Sequence, residues 1–326
     1  MTNAAAVAMV KNECDIIELF IKINLRTFDH LYIIDHGSSD GTPAILDKMQ
    51  ADGHPITVIQ LGDIHQTQAE TVTQVVRDVA KTGKYDYIMP LDADEFLTPG
   101  DDWHWDALDE HLREGGYGLV PWKTFVPVSG DFFGAEAPLH ANFRLRSHEP
   151  VQYYKVVIPN AVAKSCAISP GSHALLNAKP GSAIEVPLEL LHVPVRSSDQ
   201  ILQKAIIGSH TLSIKKNRVK GEGFHWDVMA NEIRARNYIL DDDDLLRFAL
   251  GYGVDKDAGE VAVGDPVHRV GLATDLIEHA AHARIDPMAA FDAFLSKACA
   301  EINSLNQAIR KNPLRSLMSR IGVGAD

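Results

Sequence analysis

Tyr87-Ile88-Met89-Pro90-Leu91-Asp92-Ala93-Asp94-Glu95-Phe96-Leu97 is a short apolar run that breaks into acids. Tyr87, Ile88, Met89 and Leu91 have the character of a strand buried on both faces of a parallel sheet. Asp92, Asp94 and Glu95 then place three carboxylates within four positions. At the carboxyl ends of its strands an open α/β sheet leaves a crevice, and ligands bind there. Asp92 and Asp94 are two apart, so in an extended segment their side chains point the same way. Like charges that close repel each other unless a cation lies between them. Carboxylate oxygens suit a hard divalent ion such as Mg²⁺ or Mn²⁺, with positions left for phosphate oxygens. The same acids would serve in a solvated loop or a helix cap. Their place after an apolar strand and a long αβ prologue favours a metal–phosphate site.

Upstream, Ala4 to Val10 predicts a first strand with Lys11-Asn12-Glu13 at its tip. Asp15 is expected to cap a helix carrying Ile16, Leu19, Phe20 and Ile23 at helical spacing. Leu31 to Ile34 is the next strand, ending in Asp35-His36-Gly37-Ser38-Ser39-Asp40-Gly41-Thr42, a polar tip suited to a close ligand. Ser38, Ser39 and Asp40 serve equally well as turn and helix-start residues. Thr42 and Pro43 read as N-cap and first-turn proline, and Gly53 closes that helix. Ile56 to Leu61 predicts a third strand and Gln66 to Thr82 a helix. Strand and helix alternate up to the acidic run, which makes a doubly wound, mostly parallel sheet flanked by helices.

VKNECDIIELFI, HLYIIDHGSSDGT and YDYIMPLDADEFL, in this order, resemble glycosyltransferase family 2 with the GT-A fold. The motifs span residues 4 to 97, and a weaker likeness runs to about residue 226. The resemblance implies inverting transfer of a sugar from a nucleotide-sugar donor, with UDP or GDP, helped by Mn²⁺ or Mg²⁺. It implies that Asp92 and Asp94 contact metal, diphosphate and ribose, and that Asn12, Glu13 and Asp35 line the nucleotide pocket. Relatives more often carry an acid or asparagine where this chain has His36, at the tip that meets the base.

Past Leu97 a helix is expected over Asp101 to Glu114, and a strand over Gly118 to Val128, whose prolines suggest an edge or a bend. Trp122, Phe125, Phe132 and Phe133 read as core aromatics or sugar-stacking platforms. His192 ends an apolar strand, and the resemblance makes it a third metal ligand beside Asp92 and Asp94. Arg196 and Lys204 are candidates to neutralise the leaving diphosphate. Ser197 and Gln200 suggest a capping box, with Lys204 and Gly208 on one face of the helix that follows. His225 and Trp226, in Gly221–Trp226, are expected on a loop closing over donor and acceptor. Asp94, Glu95 and Lys204 are the catalytic candidates. The acceptor's base is open among Glu95, Asp131, Glu136 and Glu149.

This gives a GT-A domain over 1–226, with a nucleotide half at 1–97 and an acceptor half at 98–226, and a helical C-terminal region over 227–326. Helices are expected over Leu272 to His282 and Pro287 to Ile309, with roles open to them in homo-oligomerisation or peripheral membrane contact. The 326 residues are 45% hydrophobic with a formal charge of −13, enough for one large core and against nonspecific nucleic-acid binding. Three scattered cysteines without CxxC suggest a reducing compartment and no zinc site. No secretory start or membrane-length apolar run is evident, so the expectation is cytoplasmic, with the inner membrane face as an option. The acceptor is expected to be a glycan or lipid-linked hydroxyl. The alternatives are a non-catalytic nucleotide-sugar-binding module and a nucleotidyltransferase, the latter disfavoured by the lack of a glycine-rich basic loop near the start.

Overall fold

The computed structural model describes residues 2–62, 68–97, 103–108, 112, 115–126, 145–148, 153–215, 218, 223–251, 262–266 and 285–310. Four parallel strands form its centre: β1 (Ala4–Val10), β2 (His30–Asp35), β3 (Ile56–Gln60) and β4 (Tyr87–Leu91), in the order β3-β2-β1-β4. Helices α1 (Ile17–Asn24), α2 (Thr42–Ala51) and α3 (Gln68–Lys81) make the crossovers. Strand β1 shows why both faces are covered. Ala4, Ala6, Ala8 and Val10 join a core with Phe20, Met49 and Phe96, whereas Ala5 and Val7 join another with Val72, Val76 and Ile158. Alanine on β1 lets both helical layers approach closely. Phe20 and Phe96 are fully buried, and each such side chain contributes roughly 1.5–3 kcal/mol of transfer free energy.

Register aligns the strand ends. Val10 pairs with Asp35 and Ala8 with Leu91, so the tips after β1, β2 and β4 open at the same edge. The acidic run continues into β5 (Glu95–Leu97), which lies antiparallel to β10 (Leu190–His192) with His192 opposite Glu95. Strand β8 (Tyr154–Pro159) joins β4 antiparallel and links it to β6 (Tyr117–Val126).

Pro121 does not put β6 at an edge. Its first half pairs with β8 and with β9 (Ala183–Glu185), its second half with β10 and with β7 (Leu145–His148). Ten residues are long enough to bend from one set of partners to the next. In the span expected to be helical from Asp101 to Glu114, the described element is a 3-10 turn at Trp105–Leu108.

Helix α4 (Asn160–Ala163) follows β8, and α5 (Ser198–Ser213) follows β10. Helix α6 (Phe224–Ala235) and α7 (Asp242–Leu250) pack on α5 through Ile201, Ala205, Met229, Ile233, Leu245 and Phe248. The boundary expected at residue 226 therefore falls inside α6, on a helix that shares its core with α5. The acidic run at 241–244 has a local cause: Asp241 and Asp244 form a reciprocal capping box at the start of α7. The C-terminal region is not all helical. Strand β11 (Ala262–Pro266) runs antiparallel to β7 before α8 (Pro287–Arg310). The helix expected over 272–282 lies outside the described residues. The three cysteines are free, and no described helix is long and apolar enough to cross a membrane.

Candidate active site

Above the aligned tips lies a cavity of about 1070 Å³. Asn12 and Glu13 from the β1 tip, Asp92 and Asp94 after β4, and His192 at the end of β10 line it, and Lys204, His225 and Trp226 line it too. Eight sequence candidates thus share one space. Asp35, Glu95 and Arg196 are not on its wall.

The wall formed by the β1 and β2 tips is a laced loop. The β1 tip turns at Asn12, which holds a φ of 56° in the left-handed region. Its amide donates to Ser38 Oγ at 2.8 Å, and its Oδ1 accepts from the Ser39 amide at 2.7 Å. The Glu13 amide donates to Thr42 Oγ1 and the Cys14 amide to Asp40 Oδ2. Asp35 is buried behind this wall, where its Oδ1 accepts from the Ser38 amide at 2.9 Å. It supports the loop from behind and does not line the cavity. The serines and Asp40 act as turn residues and as the cross-links that hold the two tips together. His36 faces the cavity.

Ion pairs dominate the acidic wall. Lys155 on β8 is fully buried, with Nζ 2.6 Å from Asp92 Oδ2 and 3.1 Å from Glu95 Oε2. Glu95 also accepts from the Asp92 amide at 2.9 Å. Burial pushes the Glu95 carboxyl up to about 8 against the pull of Lys155. Glu95 is thus part of the buried support behind Asp92 and does not line the cavity, where a catalytic side chain was expected. Gln68 Nε2 donates to the other Asp92 oxygen, Oδ1, at 2.9 Å.

Asp94 has its own cation. Lys204 Nζ donates to Asp94 Oδ2 at 2.6 Å, and Arg196 approaches to 3.9 Å. Burial works to raise the Asp94 pKa, but the positive charge of Lys204 and Arg196 outweighs it and holds the carboxyl well below the usual range. His192 stacks on Trp122, with centroids 4.1 Å apart and planes at 8°. Burial lowers its pKa to about 4, so at neutral pH the imidazole is uncharged and Lys204 is the cation in contact with Asp94.

Arg196 does not face the cavity. Its Nε and Nη2 grip Asp15 at 2.6 and 3.0 Å, and Nη2 also pairs with Glu13. Asp15 is therefore a partner of this guanidinium and makes no side-chain cap on α1, whose N-cap residue is Ile16. Burial raises the Glu13 carboxyl to about 7 against Arg196 and Lys204. The expected diphosphate clamp is instead a buried staple between the β1 tip and the segment leading into α5.

On that segment Ser197 caps α5, its Oγ accepting from the Gln200 amide at 3.1 Å. The Gln200 side chain turns to the Arg196 amide and the Pro194 carbonyl, so the capping box is only half made. Lys204 and Gly208 share a face as expected, and Trp226 packs over Gly208, where an added Cβ would lie 3.0 Å from its ring. His225 and Trp226 belong to the first turn of α6 and not to a loop, because Gly223 starts that helix with a φ of 61°.

The sequence reading missed Lys155, Gln68, Tyr153 and His173. The last three line the cavity, and Tyr153 and His173 form an aromatic group with Trp122. No local pattern marks them, although a lysine inside the apolar run of β8 was a usable signal. Phe125 is core. Asp131, Phe132, Phe133, Glu136 and Glu149 lie outside the described residues.

The expected metal set of Asp92, Asp94 and His192 does not fit a divalent ion as the side chains stand. Among the described residues no group of three or more His, Cys, Asp or Glu is gathered to hold one, and each aspartate already carries an ammonium.

Residues 6–119 match the family described as Glycosyl transferase family 2. No curated protein matches the chain. Among solved structures, S. aureus TarS 1-349 is similar at 12% identity and a TM-score of 0.36, over 73% of this chain and 72% of that one. GalNAc-T7 with UDP, GalNAc and Mn²⁺ gives 11% identity and a TM-score of 0.40, over 71% of this chain and 55% of that one. Glucosyl-3-phosphoglycerate synthase from Mycobacterium tuberculosis, with Mn²⁺, UDP and glucosyl-3-phosphoglycerate, gives 19% identity and a TM-score of 0.26, over 37% and 44% of the two chains. The match to that family is confined to residues 6–119, the segment that carries most of β1, all of β2–β4 and the acidic tip.

Proposed function

We propose that this protein transfers a sugar from a nucleotide-sugar donor to a hydroxyl of a glycan or lipid-linked acceptor, in a single inverting displacement. One observation carries the reading: the β1 tip and the acidic tip after β4 open into one large cavity whose wall also holds Lys204. The family match over the strands that build those tips supports it.

The chemistry asks for positive charge where the nucleoside diphosphate departs. Lys204 is held on Asp94 and its side chain keeps 21% exposure toward the cavity, so it supplies that charge from the protein. Asp94 orients the ammonium. Trp226 lies 5.8 Å from Lys204 Nζ, covers the helix at Gly208 and helps to exclude water from the leaving group. The family resemblance implies Mn²⁺ or Mg²⁺. Such an ion would have to displace Lys204 from Asp94, and no step here is assigned to it.

A non-catalytic nucleotide-sugar-binding module is the second reading. It is favoured by the lysine pairing of both aspartates, which balances their charge without a ligand.

The test is a melting and turnover panel with UDP, GDP, CDP and their common sugars, with and without Mn²⁺, on wild type and Asp94→Asn. A nucleotide that binds the native state raises the melting temperature by mass action. Stabilisation together with release of nucleoside diphosphate to an acceptor supports the transferase. Stabilisation without turnover supports the binding module, and no stabilisation by any nucleotide overturns both. A Mn²⁺-dependent shift that Asp94→Asn abolishes would give the metal its place.

A further inference from the structure

The C-terminal helix α8 reaches the wall formed by the β1 and β2 tips. Lys297, near its middle, donates from Nζ to the Gly37 carbonyl at 2.8 Å, across 260 residues of sequence. Gly37 holds a φ of 66°, and a Cβ there would meet Lys297 Nζ at 2.6 Å and the Leu61 carbonyl at 3.3 Å. Three segments therefore converge on one glycine: the loop after β2, the chain leaving β3, and α8. Residue 36, immediately before it, faces the cavity.

Helix α8 is seated on α5. Ala290 and Phe294 form a small core with Ile207, and Phe291 and Phe294 lie 5.7 and 6.3 Å from the His210 ring. Helix α5 enters the site one turn earlier, where Gln203 donates to the Asn12 carbonyl at 3.2 Å and Lys204 binds Asp94. One helix outside residues 6–119 thus braces the loop before Ser38 directly and the β1 tip through α5.

We propose that Lys297 is a positioning residue for the donor: its ammonium holds the Asp35–Gly41 loop in the shape that receives a nucleoside diphosphate, which makes α8 part of the donor site. The inference rests on the nucleotide-sugar reading of the cavity. A loop ordered in advance does not have to be ordered by the ligand, and binding is tighter by that cost. A hydrogen bond from a charged group is the device suited to hold a backbone carbonyl in a partly buried place.

The experiment titrates UDP and GDP into full-length wild type, Lys297→Met and Lys297→Arg by calorimetry, and measures donor KM and kcat with whichever nucleotide sugar turns over. Lys297→Met should weaken nucleoside diphosphate binding about fivefold to tenfold and raise donor KM with kcat unchanged. Lys297→Arg, which still reaches a carbonyl with a charged donor, should restore most of the affinity. Equal nucleotide affinity in wild type and Lys297→Met, or a lower melting temperature with no change in affinity, reduces Lys297 to a fold contact and overturns the proposal. If the wild type itself binds neither UDP nor GDP, the nucleotide-sugar reading fails first and this inference falls with it.

Discussion

Lys155 Nζ lies 2.6 Å from Asp92 Oδ2 with the lysine side chain wholly excluded from solvent. The first acid of the DAD run is therefore held from behind by the protein's own cation. The same ammonium reaches the buried Glu95, so one lysine on β8 sets the stance of two of the three acids. An ammonium leaves water only where its charge is matched and its protons are bonded, and here Asp92 and Glu95 receive it.

Lys155→Met should destabilise the fold by about 3–5 kcal/mol, because Glu95 loses its buried partner. Urea unfolding measures this. The double variant Lys155→Met/Glu95→Gln should recover part of the loss, since it removes the orphaned buried carboxyl as well. If the single variant unfolds at the wild-type midpoint, the buried triad does not carry the support assigned to it.

Lys204→Met should lower turnover about 10²- to 10³-fold, the usual effect of removing one preorganised group that stabilises developing charge. The melting temperature should fall as well, because the buried Asp94 carboxylate loses its closest cation. Lys204→Arg should retain part of the rate. Unchanged kcat in Lys204→Met would remove Lys204 from the chemistry.

Arg196→Met should destabilise by about 3–5 kcal/mol, leaving Asp15 and Glu13 buried without their guanidinium. A diphosphate clamp predicts the reverse pattern, a large loss of nucleotide affinity with stability kept. Paired urea and calorimetric titrations separate the two.

His225 supplies a pH test. Burial first, then Lys204, lowers its pKa to about 4 from the ordinary 6.5. Between these values the unfolded chain takes up a proton that the folded protein refuses, so the folded state is penalised. The contribution of the neutral imidazole is complete above pH 6.5 and is lost as pH falls toward 4. The stability difference between wild type and His225→Gln should therefore shrink between pH 7.5 and 4.5, read from urea midpoints. A constant difference would place His225 in solvent.

Local signals carried the first 97 residues. Apolar runs of strand length, the helical spacing of Leu19 and Phe20, and the polar tips at Asn12, Asp35 and Asp92 are properties of neighbouring residues, and they predict β1–β4 to within a residue or two. Those tips then had to share one edge, because parallel strands joined by right-handed crossovers leave no other arrangement. Past Leu97 the signals weakened. The prolines near β6 left an edge and a bend both open, and the strand runs through the middle of the sheet with four partners. His225 and Trp226 read as loop residues until Gly223 started a helix ahead of them.

From its own letters the chain determined the doubly wound frame and the row of acids at its open edge, since hydrophobic period and turn chemistry are local. Only the tertiary structure decided what those acids face. Lys155 and Asp92 are separated by 63 residues, Lys204 and Asp94 by 110, and Arg196 and Asp15 by 181. A charge alone in sequence carries no mark of its partner. Its pairing is chosen by which strands and helices bring carboxylates and cations together out of water, where an unmatched charge costs most.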